Sequence, residues 1–276
     1  MTETEPRLDI QTVFDEIRAN YEADRRQKSF NAMVIGDFGS GKTHLLKTCR
    51  LPVLIHSFDP GGTKTLKDEI DKGWVLADTR YEQEDRYHPT IFKFWNDEVD
   101  RQRQAGMFEQ LGTFVIDSVT GLSEAIMNYI LFGKTVSTNP DGRFPEFRDW
   151  ALCKRFIRDA AYELCNLPCD FLMTAHLRYD TDEATNIILA TPHLPGNERE
   201  RTPPIFDEVY VMRMIGGKRF LLTEHEGIYR AKTRIGRNGL FDKHEVPDIK
   251  ALLKKGGYPT DDKPLFKNAE TPVIDL

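Results

Sequence analysis

Short apolar runs alternate along the chain with segments in which apolar residues recur every three to four positions. The runs are typical of strands buried on both faces, and the periodic segments are typical of helices packed on a sheet. The predicted strands before residue 200 are 30–36, 52–58, 113–117, 169–176 and 186–190. The predicted helices are 9–23, 41–49, 90–104, 121–132 and 149–167. This alternation favours an α/β fold with a mainly parallel sheet and helices on both faces.

The last third of the chain has a different pattern. Consecutive apolar runs at 207–215, 218–223 and 227–234 predict a β-rich extension of the sheet. Three prolines after Gly256 predict a flexible tail. We therefore expect an N-terminal helix with an acidic leader over 1–29, one domain over 30–257 and a tail over 258–276.

A glycine-rich stretch, GDFGSGKT, lies between the first predicted strand and its helix. It fits the phosphate-binding pattern G-x-x-x-x-G-K-[ST] with Gly36, Gly41, Lys42 and Thr43. Glycines let successive backbone N–H groups point inward at the start of a helix, which creates a site for an anion. The stretch therefore predicts a P-loop that binds a nucleoside triphosphate.

Each residue of this loop has an expected role. Lys42 is expected to reach the β- and γ-phosphates, and the Thr43 hydroxyl to hold Mg²⁺. A plain glycine-rich turn is the alternative, but a loop between a strand and a helix is the context that phosphate binding requires. The residues expected to contact the nucleotide are Gly36, Asp37, Phe38, Gly39, Ser40, Gly41, Lys42, Thr43 and His44.

The run GTFVIDS supplies a carboxylate for the same site. Asp117 ends a buried strand, which we expect to lie beside the P-loop strand, so that Asp117 holds the Mg²⁺ shell through water. Ser118 is expected either to form a hydrogen bond nearby or to cap the following helix.

Composition sets limits on these expectations. Of the 276 residues, 30% are charged and 39% hydrophobic, which is typical of a globular protein, and no apolar run has membrane-spanning length. The cysteines show no metal-binding spacing, so we expect free thiols in a reducing cytoplasm. The net charge of −6 gives no overall attraction to nucleic acid. However, residues 199–237 carry nine Lys/Arg against five Asp/Glu, a local charge of +4.

The order of these motifs resembles the RecA-like ATPase core. The most specific parts of the resemblance are FDPGG, VIDSVTGL, TAH and the pair FDEVYVM and YRAKTR, and it covers about 30–257. More narrowly, the chain resembles phage-encoded ATPases of this group, which are proposed to act in single-strand annealing and recombination. The resemblance implies ATP and Mg²⁺ as cofactors, single-stranded DNA as a partner, and action in the host cytoplasm. It also implies assembly into rings or filaments, and contact with a single-strand-binding or other recombination protein.

Two further residues acquire roles from the resemblance. His176 ends the strand after Asp117, where RecA-like proteins carry a γ-phosphate sensor; a strand-end histidine bonded to backbone is the alternative. Asp59 falls near the catalytic carboxylate of the family. The chain departs from the pattern here, because recombinases place a glutamate about two residues further on, where this sequence has Pro60, Gly61 and Gly62. Asp59 is expected to orient the attacking water from a shifted position, or else to serve only the turn.

Lys232 and Arg234 alternate along the last predicted strand, so both are expected on one face of it. The resemblance implies that cations from this region enter the nucleotide site of a neighbouring subunit, with Arg237 a weaker candidate. A solvated strand face is the alternative.

Two loops are the expected DNA contacts by the same resemblance. They span 132–147 and 178–204, and their cations are Lys134, Arg143, Arg178, Arg199 and Arg201. Cations of this kind bind phosphates, and aromatics such as Phe144 or Tyr179 stack on bases. The alternative function is a nucleotide-dependent switch or scaffold for a replication or packaging partner, without DNA contact.

Overall fold

A nine-stranded sheet runs through the described part of the chain. The computed structural model describes residues 9–24, 29–85, 88–132, 144–181 and 186–266. The strands are β1 (Asn31–Gly36), β2 (Val53–Ser57), β3 (Val75–Asp78), β4 (Thr113–Asp117), β5 (Asp170–Thr181), β6 (Ile188–Pro192), β7 (Glu208–Ile215), β8 (Lys218–Leu222) and β9 (His244–Glu245).

The strand order is β3-β2-β4-β5-β1-β7-β8-β9. All pairs from β3 to β7 are parallel, whereas β8 and β9 add an antiparallel edge. The outer half of β5 continues beyond the parallel sheet and pairs antiparallel with β6. The predicted parallel sheet with a β-rich extension is therefore confirmed.

The prediction that the strand of Asp117 lies directly beside the P-loop strand was wrong. β5 lies between β1 and β4, because Leu172 pairs with Ala32 on one side and with Val115 on the other. Phe171, Leu172 and Met173 are all buried, and an apolar run of this kind suits a central strand. Asp117 nevertheless ends at the same edge of the sheet as Gly36, since parallel strands share their carboxyl edge.

Helices cover both faces of the sheet. The helices of the described residues are α1 (Ile10–Ala23), α2 (Lys42–Leu45), α3 (Lys67–Asp71), α4 (Ile91–Gln104), α5 (Met107–Gln110), α6 (Val119–Phe132), α7 (Phe147–Leu164), α8 (Glu198–Arg201) and α9 (Ile249–Lys255). α4, α6 and α7 bury their apolar sides against Met33, Phe114 and Phe171. α2 and α9 pack on the opposite face, against Val34 and Val115. The predicted helix 41–49 is shorter than expected, since α2 continues only as a 3₁₀ turn over Leu46–Thr48.

The predicted strand 227–234 does not form. This segment makes only isolated bridges, such as Lys232 to Val209. The physical reason is that β8 already pairs with β7 from Val211 to Ile215, which leaves only the start of β7 open to another segment. The short elements β3, β9, α3, α5, α8 and α9 were not predicted.

The two ends of the described chain differ in their contacts. α1 is capped by Asp9 and buries no residue. At the other end, Lys263 N–H donates to the Leu51 carbonyl at 2.8 Å, so residues 258–266 make defined contacts.

The four cysteines are free and buried, as predicted. Among the described helices, none is long and apolar enough to cross a membrane.

A buried ion pair ties the amino edge of the sheet together. Asp170, the first residue of β5, accepts hydrogen bonds from Arg50 Nε at 2.6 Å and from Phe30 N–H at 2.9 Å. Burial raises the pKa of Asp170, and the Arg50 guanidinium opposes that rise. Asp170 therefore binds both Phe30, just before β1, and Arg50, just after the 3₁₀ turn that follows α2.

We expect Arg50→Ala to lower the free energy of unfolding by about 3 kcal/mol, because it leaves a buried carboxylate without its cation. Urea denaturation measures the loss. Arg155→Ala is the matched control, since the pair of Arg155 with Asp159 is exposed and contributes about 0.5 kcal/mol or less. Equal losses in the two variants would contradict the prediction.

Candidate active site

The P-loop leaves the carboxyl edge of β1 and enters α2. Gly41 caps the helix with a φ of 104°, a left-handed conformation that favours glycine. Lys42 is 6% exposed, and its Nζ donates to the carbonyls of Gly36 at 2.8 Å and Asp37 at 3.0 Å. Burial lowers the pKa of Lys42, and the nearby carboxylate of Asp117 opposes that shift. The ammonium group therefore lies across the inside of the loop.

The inner wall of the loop has the shape and polarity of an anion cradle. A Cβ on Gly36 would lie 2.7 Å from Ser40 Oγ and 3.0 Å from the Met212 carbonyl, so the loop closes only around glycine. Ser40 Oγ is buried and has no hydrogen-bond partner among the described residues. The Phe38 side chain, in contrast, is 91% exposed and lies outside the cradle. A buried hydroxyl and an ammonium group inside one loop fit a polyphosphate.

Asp117 and Thr43 meet as predicted. Thr43 Oγ1 donates to Asp117 Oδ2 at 2.7 Å, and Thr174 Oγ1 donates to Asp117 Oδ1. Asp117 is 1% exposed; burial raises its pKa, while the hydrogen bonds from Thr174 and Thr43 oppose the rise. A hydroxyl beside a carboxylate offers the hard oxygen ligands that Mg²⁺ prefers, so Thr43 and Asp117 fit its coordination shell.

Asp59 and His176 form a pair that was not predicted. His176 Nε2 lies 2.8 Å from Asp59 Oδ2, and Ser118 Oγ donates to Asp59 Oδ1 at 2.8 Å. Burial opposes ionisation of Asp59, but the hydrogen bonds from His176 and Ser118 outweigh it, so the pKa of Asp59 lies below its ordinary value. Asp59 is thus an ionised acceptor that orients the His176 ring. Ser118 also accepts from Gly121 N–H at 3.3 Å, so it combines the two roles that were left open.

The backbone of His176 connects this pair to a second region. His176 N–H donates to Thr120 Oγ1 at 3.1 Å, and Thr120 Oγ1 donates to the His193 carbonyl at 3.3 Å. His193 N–H donates back to the His176 carbonyl at 2.8 Å. These hydrogen bonds connect His176 to the chain that follows β6.

Lys232 and Arg234 lie away from the P-loop of their own chain. Lys232 bridges Val209, which pairs with Met33, three residues or about 10 Å before Gly36 along β1. Lys232 Nζ donates to the Pro204 carbonyl at 3.2 Å. Arg234 pairs with Asp207 at 2.6 Å, and with Arg237 it lines a cavity of about 970 Å³.

The expected DNA-binding cations have different surroundings. Arg178 and Arg199 both pair with Asp180, at 2.8 Å and 2.5 Å. Arg201 is exposed and makes no ion pair within the described ranges. Glu198, between the loop cations in sequence, is fully buried and bonded to Arg158. Lys134 and Arg143 lie outside the described residues.

Two residues of the site were missed. Arg219 Nε, from β8, donates to the Ser40 carbonyl at 3.1 Å, and its Cδ lies 2.8 Å from where a Cβ on Gly41 would be. Nothing in the sequence pattern indicates this contact. Thr174, in contrast, carries a signal, because it is the polar residue of the buried run FLMTA and lies on the same face of the strand as His176.

A family model described as an AAA domain (AAA_24) matches residues 28–235, well over half of the chain. The chain belongs to this family. No curated protein matches the sequence significantly.

Two solved structures show a distant likeness. The RadB recombinase is 12% identical, with 74% of this chain and 91% of that chain covered and a TM-score of 0.35. A prototypical ATPase from the type III secretion system of pathogenic bacteria is 13% identical, with 67% and 52% covered and a TM-score of 0.36. At these values neither likeness bears on substrate or partner. The family and the P-loop geometry identify the chain as a P-loop ATPase.

We expect Thr174→Val to lower ATP hydrolysis by about tenfold or more, because it removes one of the two hydroxyls that orient Asp117. The shape of the side chain is kept, and the loss of a hydrogen bond to a buried carboxylate costs about 2–3 kcal/mol of stability. Thr113→Val is the matched control: Thr113 is equally buried, but its Oγ1 donates to the Arg50 carbonyl at the other end of β4. Steady-state hydrolysis and thermal unfolding separate the two effects. A similar loss of hydrolysis in both variants would show that Thr174 contributes only to folding.

Proposed function

We propose that this protein hydrolyses Mg·ATP and couples hydrolysis to binding of single-stranded DNA, in recombination or strand annealing. The observation that carries the proposal is a surface cleft lined in part by Thr120, the residue whose hydroxyl accepts a hydrogen bond from His176 N–H. The resemblance to phage-encoded ATPases further supports action in a bacterial host cytoplasm, beside a single-strand-binding or other recombination protein.

The nucleotide side of the proposal uses the residues of the P-loop and its carboxylates. Lys42 and the backbone of 36–44 would hold the phosphates, and Thr43 and Asp117 would hold Mg²⁺, which supplies positive charge at the phosphate oxygens. Asp59 would orient the attacking water, and its bond to His176 would let a change at the phosphates reach β5. Catalysis of this kind relies on positioning and electrostatic stabilisation.

The DNA side of the proposal uses the cleft between α6, α7 and the chain after β5. The cleft has a volume of about 210 Å³, and its lining includes Trp150, Arg178 and His193. An aromatic ring beside a guanidinium group suits a base and its phosphate. Because Thr120 bonds both His176 and His193, a strand bound here is linked to the nucleotide site by three hydrogen bonds.

We expect single-stranded DNA to raise the rate of ATP hydrolysis, with a stimulation that falls steeply as salt is added. Trp150→Ala should reduce the stimulation and leave the basal rate unchanged, because Trp150 lies in the cleft and touches none of the phosphate-binding residues. Tyr162→Ala, an exposed aromatic on the same helix α7, is the control. DNA-independent turnover that changes a complex with another protein would instead favour a nucleotide-dependent switch or scaffold.

We also propose that the protein assembles into rings or filaments in which Lys232 and Arg234 serve the nucleotide site of a neighbouring subunit. Their distance from their own P-loop supports this, since they can act on ATP only across an interface. A cation supplied in this way stabilises charge on the transferred phosphoryl group, an effect of about 10³-fold or more.

Mixing Lys42→Ala subunits with Lys232→Ala/Arg234→Ala subunits is expected to restore part of the hydrolysis that each variant lacks alone. Some interfaces then pair an intact P-loop with intact cations. Activity per subunit should also rise with protein concentration as assemblies form. A mixture that stays inactive although co-assembly is demonstrated would refute the shared site.

A further inference from the structure

A second carboxylate approaches the turn that carries Asp59. Glu82 lies in the loop after β3, where its N–H donates to the Thr79 carbonyl at 3.1 Å. The preceding residue, Tyr81, is 2% exposed and stacks on Phe58 with ring centroids 5.4 Å apart. Glu82 is therefore held against the end of β2 by a buried neighbour.

The carboxylate of Glu82 bonds the turn on both sides of Asp59. Ser57 Oγ donates to Glu82 Oε1 at 2.7 Å, and Gly61 N–H donates to Glu82 Oε2 at 3.0 Å. Ser57 lies two residues before Asp59 and Gly61 two residues after it. One side chain from a separate loop thus fixes both flanks of a five-residue turn.

This turn lies against the residues that fit the metal and the phosphates. A Cβ on Gly62 would be 3.8 Å from Thr43 Oγ1 and 4.0 Å from Asp117 Oδ2. On the other side, α6 approaches so closely that a Cβ on Gly121 would lie 2.8 Å from Phe58 Cβ. A small shift of the turn therefore moves Asp59 relative to Thr43, and a shift of this size is costly in a site that works by positioning.

We propose that Glu82 is a positioning residue for ATP hydrolysis, which holds Asp59 in place by bonding Ser57 and Gly61. The assignment rests on the proposed role of Asp59 in hydrolysis. Both Glu82 oxygens accept hydrogen bonds from the turn, so Glu82 acts by holding the turn that carries Asp59.

The test compares Glu82→Ala, Glu82→Gln and the control Glu84→Ala. Glutamine keeps both bonds, since its amide oxygen accepts from Gly61 N–H and its NH₂ donates to Ser57 Oγ. Glu84 lies two residues away and accepts from the N–H groups of Thr90 and Ile91 at the start of α4, without contact to the turn. Its loss therefore reports the cost of removing a carboxylate from this loop.

Hydrogen exchange of the Gly61 amide, measured without nucleotide, should be faster in Glu82→Ala than in the wild type, Glu82→Gln or Glu84→Ala. In hydrolysis, Glu82→Ala should lower kcat by about 10- to 100-fold with little change in KM for ATP, and Glu82→Gln should restore most of it. Ser57→Ala, which removes only one of the two bonds, should give a smaller loss and serves if Glu82→Ala does not fold.

Three results would overturn the proposal. If Glu82→Gln is as inactive as Glu82→Ala, the charge of Glu82 takes part in the chemistry directly. If neither Glu82→Ala nor Ser57→Ala changes kcat, the bonds to the turn have no catalytic role. Unchanged exchange of Gly61 would show that the bonds do not hold the turn. A wild type without ATP hydrolysis would refute the proposed function, while the exchange experiment would still test the contact.

Discussion

The structure depends on keeping one carboxylate buried at the carboxyl edge of the sheet. Asp117 is 1% exposed, and burial of an ionised group is costly unless hydrogen bonds and a cation compensate. Thr43 from the P-loop helix and Thr174 from β5 donate to its two oxygens, and the ammonium of Lys42 is near. The groups that make the burial of Asp117 tolerable are the same groups that fit ATP and Mg²⁺. Stability of this edge and function are therefore linked.

The central strand β5 connects the parts of the site. Its first residue, Asp170, anchors Arg50 and the start of β1 at the amino edge. Four residues later Thr174 bonds Asp117, and His176 then bonds Asp59. Because β5 lies between β1 and β4, these contacts reach both neighbouring strands. Polar contacts at the start and in the middle of β5 thus join the amino edge of the sheet to the site around Asp117.

Sequence reasoning predicted the parts of this site that depend on local pattern. Gly36, Lys42 and Thr43 follow from one loop between a strand and a helix, and Asp117 from an apolar run that ends in a carboxylate. It did not predict that β5 separates the strands of Gly36 and Asp117, because strand order depends on packing between distant segments.

The pairing of Asp59 with His176 was missed for a similar reason. The two residues are 117 positions apart, and only the strand order brings them together. Glu82 is harder still to predict, because it lies in a loop without periodicity and bonds a turn more than twenty residues earlier in the chain. The segment 227–234 has the composition of a strand, yet an earlier hairpin occupies the edge it needs. Composition indicates which secondary structure a segment can form, but competition between segments for the same sheet edge determines which of them becomes a strand.

Charge gave the least reliable prediction, since a count of cations does not measure how many are available. Within 199–237, ion pairs occupy Arg199, Arg213 and Arg234. The cations of that segment without an ion pair in the described part of the chain are Arg201, Lys218, Arg219, Arg230, Lys232 and Arg237. A strand of DNA that binds Arg178 or Arg199 must compete with Asp180, which reduces the gain from each phosphate contact. If DNA binds this surface as proposed, its binding would therefore depend more on the aromatic ring of Trp150 and on unpaired cations than the local charge of +4 implies.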